Sequence, residues 1–535
     1  MARRKKHEVI QLWTGALPHV SRRAERSEGS TLRDTFVEMV DVDLLTRSRE
    51  NQIIFGRRGT GKTHVLNYMA EILGRQEEVV VLADLRIVGS ASAYQLRDES
   101  SFELAATRIV VDLLATMHEQ LFAYSLRALD QERDVTQLVR GMDAMAEAAS
   151  AETISGTSTV TEESRADRSR EHSLGLEVST GGGRVHAGGS ANVQYGRSHT
   201  RSASGQARPA LLLGEVQRAI QQVIQSLPKK RIWILIDEWS SLPIPFQPLV
   251  ADFIRRSLLP CNGLILKMAA VDRRTQLVES HQGGYVGLEL GSDVFLGADL
   301  DGSLARILVR GRHDLHEQIL CKHATAFLQS EGSLTPGSQL ESDELLEAFP
   351  AFLPALHFSG GVPRDLISIA GLAATIARSE SEDWSPSPIN ASHVIRAARN
   401  YAVQEKEAQA KTAPRSWNLL IALREHVQSE EGGSIFLVDS THESMNEEVA
   451  DLLDLRLLHR LEKSVGPGGR FDAFAIDLSA SLISYGSGHY RKREDDPWRL
   501  WGRYDTAANL FPVLRYHGGK YMFSRLSSSG RLKNS

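Results

Sequence analysis

The sequence predicts an α/β fold in which a mostly parallel β-sheet is covered by helices on both faces. Three observations predict it. Short β-branched apolar runs recur in the first half of the chain with helical patterns between them, as strands buried on both faces do. A glycine-rich loop, GRRGTGKT at 56–63, stands directly after one such run and directly before a helical pattern. A later run, IWILI at 232–236, ends in Asp237 and Glu238.

The elements follow in order. Residues 1–34 are polar and arginine-rich and read as a loosely ordered basic arm. The core is expected over 35–302. NQIIF at 51–55 is its first strand, and Val65, Leu66, Met69, Ile72 and Leu73 then recur at helical spacing up to Gly74. VVVLA at 79–83, IWILI at 232–236 and LILKMAAV at 264–271 are the next three strands. Residues 151–208, rich in Ser, Gly, Thr and Arg, lack the apolar density for a core and form an insertion. LGLEV at 174–178 and ANVQY at 191–195 alternate around the GGG at 181–183, which suits a projecting hairpin. Arg184, Arg197, Arg201 and Arg208 lie in a stretch with no acid, a charge pattern open both to a nucleic-acid backbone and to plain solvation.

Residues 303–411 read as a series of helices broken by EGSLTPGS at 331–338, Gly360-Gly361 and SPSP at 385–388. Residues 412–480 give helix, strand, helix and a hairpin around GPGG at 466–469, the pattern of a winged helix-turn-helix. Residues 481–535 form a basic extension, with ten Lys or Arg against four Asp or Glu from 491 onward.

Composition narrows the class. A chain of 535 residues needs several domains. A hydrophobic share of 41%, a charged share of 24% and a net charge of -5 describe an ordinary soluble protein. Cys261 and Cys321 are far apart, which excludes a disulfide framework and a zinc ribbon. No apolar run approaches a membrane span, so the expected location is the cytoplasm.

The chemistry sits in two motifs. Gly56, the four residues Arg57, Arg58, Gly59 and Thr60, then Gly61, Lys62 and Thr63 match GxxxxGK[ST] in the strand-to-helix context that a P-loop requires. Glycines let the loop's N–H groups converge, and the helix adds its positive end, so the loop suits a nucleoside triphosphate, most simply ATP with Mg²⁺. Lys62 is expected on the β and γ phosphates and Thr63 on Mg²⁺. Arg57 and Arg58 fill variable positions and read as solvated. At the carboxyl edge of the sheet, Asp237 is placed for the Mg²⁺ shell and Glu238 for the attacking water, which makes the expected activity ATP hydrolysis.

These motifs, in this order, resemble the AAA+ ATPases. GGVPRDL at 360–366 looks like the sensor-2 signature of the origin-recognition (ORC/Cdc6-type) initiator ATPases. The resemblance implies a helical lid whose Arg364 reaches the γ-phosphate, a following winged-helix domain, DNA as a partner, and assembly with itself or other proteins. Pro363 independently fits the first turn of a helix. The fourth strand lacks the family's polar sensor-1 residue, Asp272 being the first candidate, and Arg273 and Arg274 read as solvated rather than as a finger acting on a neighbour. The helix near 444–454, SMNEEVADLLD, is acidic where a DNA-reading helix is basic or neutral. Arg456, His459, Arg460, Lys463 and Arg470 make the following hairpin the more favourable DNA contact. The second class open to this sequence is a STAND-type signalling switch whose C-terminal domains bind proteins.

Overall fold

A computed structural model describes residues 4–21, 29–39, 42–87, 99–150, 152–155, 158–160, 201–203, 206–209, 211–281, 283–309, 313–380, 386–430, 433–439, 446–482, 511–517, 520–526 and 532–534. Five parallel strands, β1 (Gln52–Phe55), β2 (Val79–Asp84), β3 (Ile232–Asp237), β4 (Leu264–Ala270) and β5 (Phe295–Asp299), stand in the order β5-β1-β4-β3-β2. Every residue of β3 and β4 is buried, as expected of central strands in a doubly covered sheet. The sheet's edge strand β5 escaped the sequence pattern because Phe295 and Leu296 are exposed and Gly297 interrupts the run.

The register levels the strand ends: Phe55 pairs with Ala270 and Asp84 with Asp237. Loops after β1, β2, β3 and β4 therefore leave from one edge, and the connections from the neighbouring β1 and β4 run in opposite directions there, the place where open α/β sheets hold ligands. Alternation divides the core. Ile54, Leu235 and Ala269 pack with Val65, Leu66 and Met69 of the helix after the loop. Ile53, Ile234, Ile236 and Met268 face the other way, onto helices that include Glu99–Asp130 and Leu213–Ser226. The one cation in these strands, Lys267, is buried; its Nζ donates to Ser48 O at 3.0 Å and Glu50 O at 3.1 Å.

The ends of the insertion are tied together. Glu152–Ser155 pairs antiparallel with Gln206–Pro209, and Ser158–Val160 with Arg201–Ala203; the expected hairpin at 174–195 lies outside the described residues.

The arm expected over 1–34 is corrected. Lys6–Ala16 is helix α1, whose Val9, Ile10, Trp13 and Ala16, followed by Leu17, are buried in the helical layer. Their spacing is helical, but the basic residues around them masked it. This layer contains α2 (Asp314–Ser330), α3 (Pro363–Ser379) and α4 (Ala391–Tyr401). Leu17 O would lie 2.9 Å from a Cβ on Gly371, so α3 carries a glycine where the N-terminal segment crosses it.

The C-terminal sheet holds β6 (Ile435–Asp439), β7 (Leu458–Val465), β8 (Phe471–Ile476), β9 (Pro512–His517), β10 (Lys520–Leu526) and β11 (Leu532–Asn534), in the order β7-β8-β6-β9-β10-β11. The boundary expected at 480 cuts this sheet: β9 pairs parallel with β6, and Val513 and Leu514 are buried. From residue 512 the described part of the basic extension is thus strand, held by Val513 and Leu514, which pack on opposite faces of the sheet.

This sheet docks on the core through charge. Asp272 pairs with Arg460 and Lys463, Arg273 with Asp472, and Arg274 with Asp451 and Asp454 of α5 (Asn446–Asp454). Arg273 and Arg274 are therefore ion-paired within the chain, although Arg274 stays partly exposed, and the acidity of α5 serves an internal contact. The basic hairpin is likewise engaged: Arg456 pairs with Asp365, His459 with Asp477, and Arg470 with Asp439.

Two buried histidines of α2 predict acid sensitivity. Burial pulls both His316 and His323 from 6.5 to about 4, although His316 Nε2 lies 2.9 Å from Gly361 O and His323 Nδ1 2.8 Å from Ile319 O. The unfolded chain protonates first, so their contribution is complete above about pH 6.5 and falls as the pH drops toward about 4. The urea midpoint should be lower at pH 5.5 than at pH 7.5, and His316→Asn should make that difference smaller; an unchanged difference refutes the assignment to His316.

Candidate functional site

The loop between β1 and its helix, Lys62–Arg75, is shaped by two left-handed glycines, Gly59 at φ 89° and Gly61 at φ 97°. A side chain at Gly59 is excluded twice, by that φ and by the Cβ of Arg364, which would lie 2.9 Å away. Thr60 Oγ1 donates to Arg57 O at 2.8 Å, and Lys62 Nζ donates to Gly56 O at 2.7 Å and Arg57 O at 3.0 Å. The loop is thereby curled around its own lysine. Burial lowers the Lys62 pKa, while Glu238, Asp301 and Asp237 oppose this.

Two carboxylates arrive from β3. Asp237 is 3% exposed, and burial raises its pKa against a hydrogen bond from the Thr63 hydroxyl. Glu238 follows in the left-handed region at φ 55°, a conformation costing a non-glycine residue about 1 kcal/mol, and lines the adjoining cleft. Its backbone N–H donates to Asp237 Oδ1 at 2.8 Å, and Ser241 Oγ donates to Glu238 Oε2 at 3.3 Å. The strained turn sends consecutive carboxylates in different directions: one stays with Thr63 beneath the loop, the other faces the cleft.

Helix α3 closes the opposite side. Arg364 N–H donates to Gly59 O at 3.3 Å, and His316 holds Gly361 of the turn before it. The resulting cleft of about 330 Å³ is lined by Arg58, Lys62, Thr63, Arg86, Glu238 and Arg364, four cations against one carboxylate, and by the apolar Phe36, Val37, Met39, Ile319 and Ile367. Phe36 stacks on Tyr68 at 3.9 Å between ring centroids. An anionic ligand with an apolar part matches this lining.

Of the residues predicted from sequence, Arg58, Gly59, Gly61, Lys62, Thr63, Glu238 and Arg364 meet at the cleft, with Asp237 bonded to Thr63 behind it. Gly56 and Thr60 shape the loop. Arg57 is corrected: it is 6% exposed and points away, its Nε donating to Asp301 Oδ1 at 2.8 Å and its backbone N–H to Asp301 Oδ2 at 3.0 Å. Asp272, the candidate sensor-1 residue, pairs with the C-terminal sheet instead. Sequence reasoning missed Arg86, which pairs with Asp84 at 2.6 Å, and its available signal was DLR at 84–86 just beyond the second strand. Phe36 gave no signal, since a lone aromatic ahead of the first strand has no pattern.

The Thr63–Asp237 pair fits a hard divalent cation, because it offers a hydroxyl oxygen and a carboxylate that burial disfavours as a lone anion. Among the described residues no three His, Cys, Asp or Glu side chains cluster as a metal site, and no helix is long and apolar enough to cross a membrane. Mg²⁺ needs no such cluster where phosphates share its coordination.

The core fits a P-loop NTPase. Family models give no match, and neither do the curated proteins. Among solved structures the chain is similar to the Aeropyrum pernix Orc1 protein in complex with DNA, at 13% identity over 90% of this chain and 97% of that one, with a TM-score of 0.26.

Lys62→Ala should abolish binding of a fluorescent ATP analogue. Asp237→Ala should retain weak binding in EDTA and lose the gain that Mg²⁺ gives wild type. A full Mg²⁺ gain in Asp237→Ala would remove Asp237 from the metal site.

Proposed function

We propose that this chain is a Mg²⁺-dependent ATP hydrolase of the origin-recognition-like AAA+ kind. The supporting observation is the cleft itself: a P-loop lysine and threonine, a strand-end glutamate and an arginine from a separate helix line one cavity, with Asp237 bonded to the threonine behind it. In this reading Gly56–Thr63 cradle the phosphates and Lys62 and Arg364 counter their charge. Arg58 and Arg86 add to that field. Glu238, held by Ser241, orients water and accepts its proton. Thr63 and Asp237 would hold Mg²⁺, which neutralises phosphate charge when bound. Helix α3 acts as the lid, because Arg364 is covalently part of the element that closes on Gly59.

The same proposal gives the C-terminal domain, read as a winged helix with added strands, a role in binding DNA. The basic hairpin is occupied by internal pairs, so the contact falls to cations in 491–535, among them Lys520 on a described strand. Such contacts would be salt-sensitive and largely independent of sequence. Self-association belongs to the reading through the family resemblance. The STAND-type switch is favoured by one observation, the docking of α5 on Arg274, which holds the C-terminal domain against the nucleotide core. In that case the domain would bind proteins once released.

Glu238→Gln should bind ATP and lose turnover by about 100-fold or more; unchanged turnover removes Glu238 from catalysis. Duplex DNA affinity should fall steeply with salt, and Lys520→Glu in the full chain should weaken it. No binding at low salt by the full chain would favour the switch.

A further inference from the structure

Arg57 begins a buried path that leaves the P-loop and returns to it. Its Nη1 donates to Leu458 O at 2.9 Å and lies 2.8 Å from His459 Nδ1, both on β7. An arginine only donates, so Nδ1 accepts and the imidazole proton sits on Nε2. That Nε2–H donates to Asp477 Oδ2 at 2.6 Å. Asp477 Oδ1 pairs with Lys406 Nζ at 3.3 Å, and Lys406 pairs with Asp365 at 3.0 Å. Asp365 also pairs with Arg456 at 2.7 Å and accepts from Tyr401 at 2.9 Å. Asp365 directly follows Arg364, whose N–H returns to Gly59 of the P-loop.

Asp365, Lys406 and Asp477 are essentially inaccessible, and His459 is 2% exposed. With Asp301 included, three cations (Arg57, Lys406, Arg456) balance three carboxylates (Asp301, Asp365, Asp477) around a neutral histidine. Burying such a set demands that every member be paired, and loss of one leaves an uncompensated charge. His459 also explains Gly360, where a Cβ would lie 2.0 Å from the imidazole Cε1. One side chain of β7 thus touches the P-loop arginine on one side and the turn before α3 on the other.

We infer that His459 and Asp477 are positioning residues of the nucleotide site: through Arg57 they fix the P-loop, and through Lys406 and Asp365 they fix the helix that carries Arg364. The inference rests on the nucleotide reading above and adds that the C-terminal domain is a structural wall of that site. Neither residue touches the cleft. Their effect is geometric, and undocking β7 would release the P-loop and the Arg364 helix together.

The test uses the full chain, a fluorescent ATP analogue with Mg²⁺, and a folded circular-dichroism spectrum for each variant. Binding by wild type that Lys62→Ala loses secures the nucleotide site; a wild type that binds nothing removes site and relay together. Given binding, His459→Leu and Asp477→Asn should weaken affinity about tenfold, within the usual range of coupling between sites. His459→Gln, whose side-chain amide can still donate to Asp477, should return toward wild type, a recovery that mere loss of packing would not give. Arg57→Met and His459→Leu combined should bind no more weakly than the worse single variant. Wild-type affinity in folded His459→Leu or Asp477→Asn overturns the relay, as does strict additivity of the pair. Should His459→Leu not fold, Asp477→Asn against His459→Gln decides: weak against near-normal supports the relay, and equal affinity overturns it.

Discussion

The guanidinium of Arg57 is held by Asp301 on the core side and by Leu458 O and His459 on the C-terminal side, and the placement of the other parts depends on this grip. Asp301 takes the Arg57 backbone N–H as well as its side chain, so the entry of the P-loop has one permitted direction. The loop then has to curl over Lys62. Because the arginine is almost wholly buried, its charge requires partners, and the partners come from two stretches of chain far apart in sequence, Asp301 and the adjacent Leu458 and His459. Breaking such a pair from one side costs about 3–5 kcal/mol, comparable to a large share of the stability of a typical domain.

The same logic explains the sign of the charges at the domain junction. Core residues Asp272, Arg273 and Arg274 lie in a row just beyond β4, and each meets its opposite on the C-terminal sheet or on α5. A DNA-reading helix would present cations or neutral polar groups outward. Here α5 presents Asp451 and Asp454 inward to Arg274, which makes its acidity a docking feature. Ion pairs of this kind set register between bodies more than they add stability, since desolvation offsets much of the Coulomb gain.

Helix α3 connects these two regions to the cleft. Its first turn carries Arg364 toward the P-loop and Asp365 toward the buried lysine, so neighbouring residues face two different environments. Gly360 and Gly361 precede it with positive φ, one making room for His459 and the other bonded to His316. Gly360, Gly361, Arg364 and Asp365 of the GGVPRD stretch are therefore each explained by what touches them.

Much of the α/β core was legible in the sequence, because β-branched runs buried on both faces need no tertiary information to stand out, and GxxxxGK[ST] is a local geometry. The four predicted strands, the loop, Asp237 and Glu238 were visible for that reason, whereas Arg364 was singled out only through the resemblance of GGVPRDL to a family signature. Tertiary structure decided what depends on a partner far along the chain. Arg57 and Arg58 are neighbours of one type in one motif, yet one is buried against residues some 400 positions away and the other lines the cleft. Arg86 and Phe36 reach the cleft only through the fold, α1 is ordered only because the helical layer accepts Trp13, and Pro512–His517 becomes a strand only because β6 offers an edge. A sequence states which groups must be buried or paired; only the folded chain states with whom.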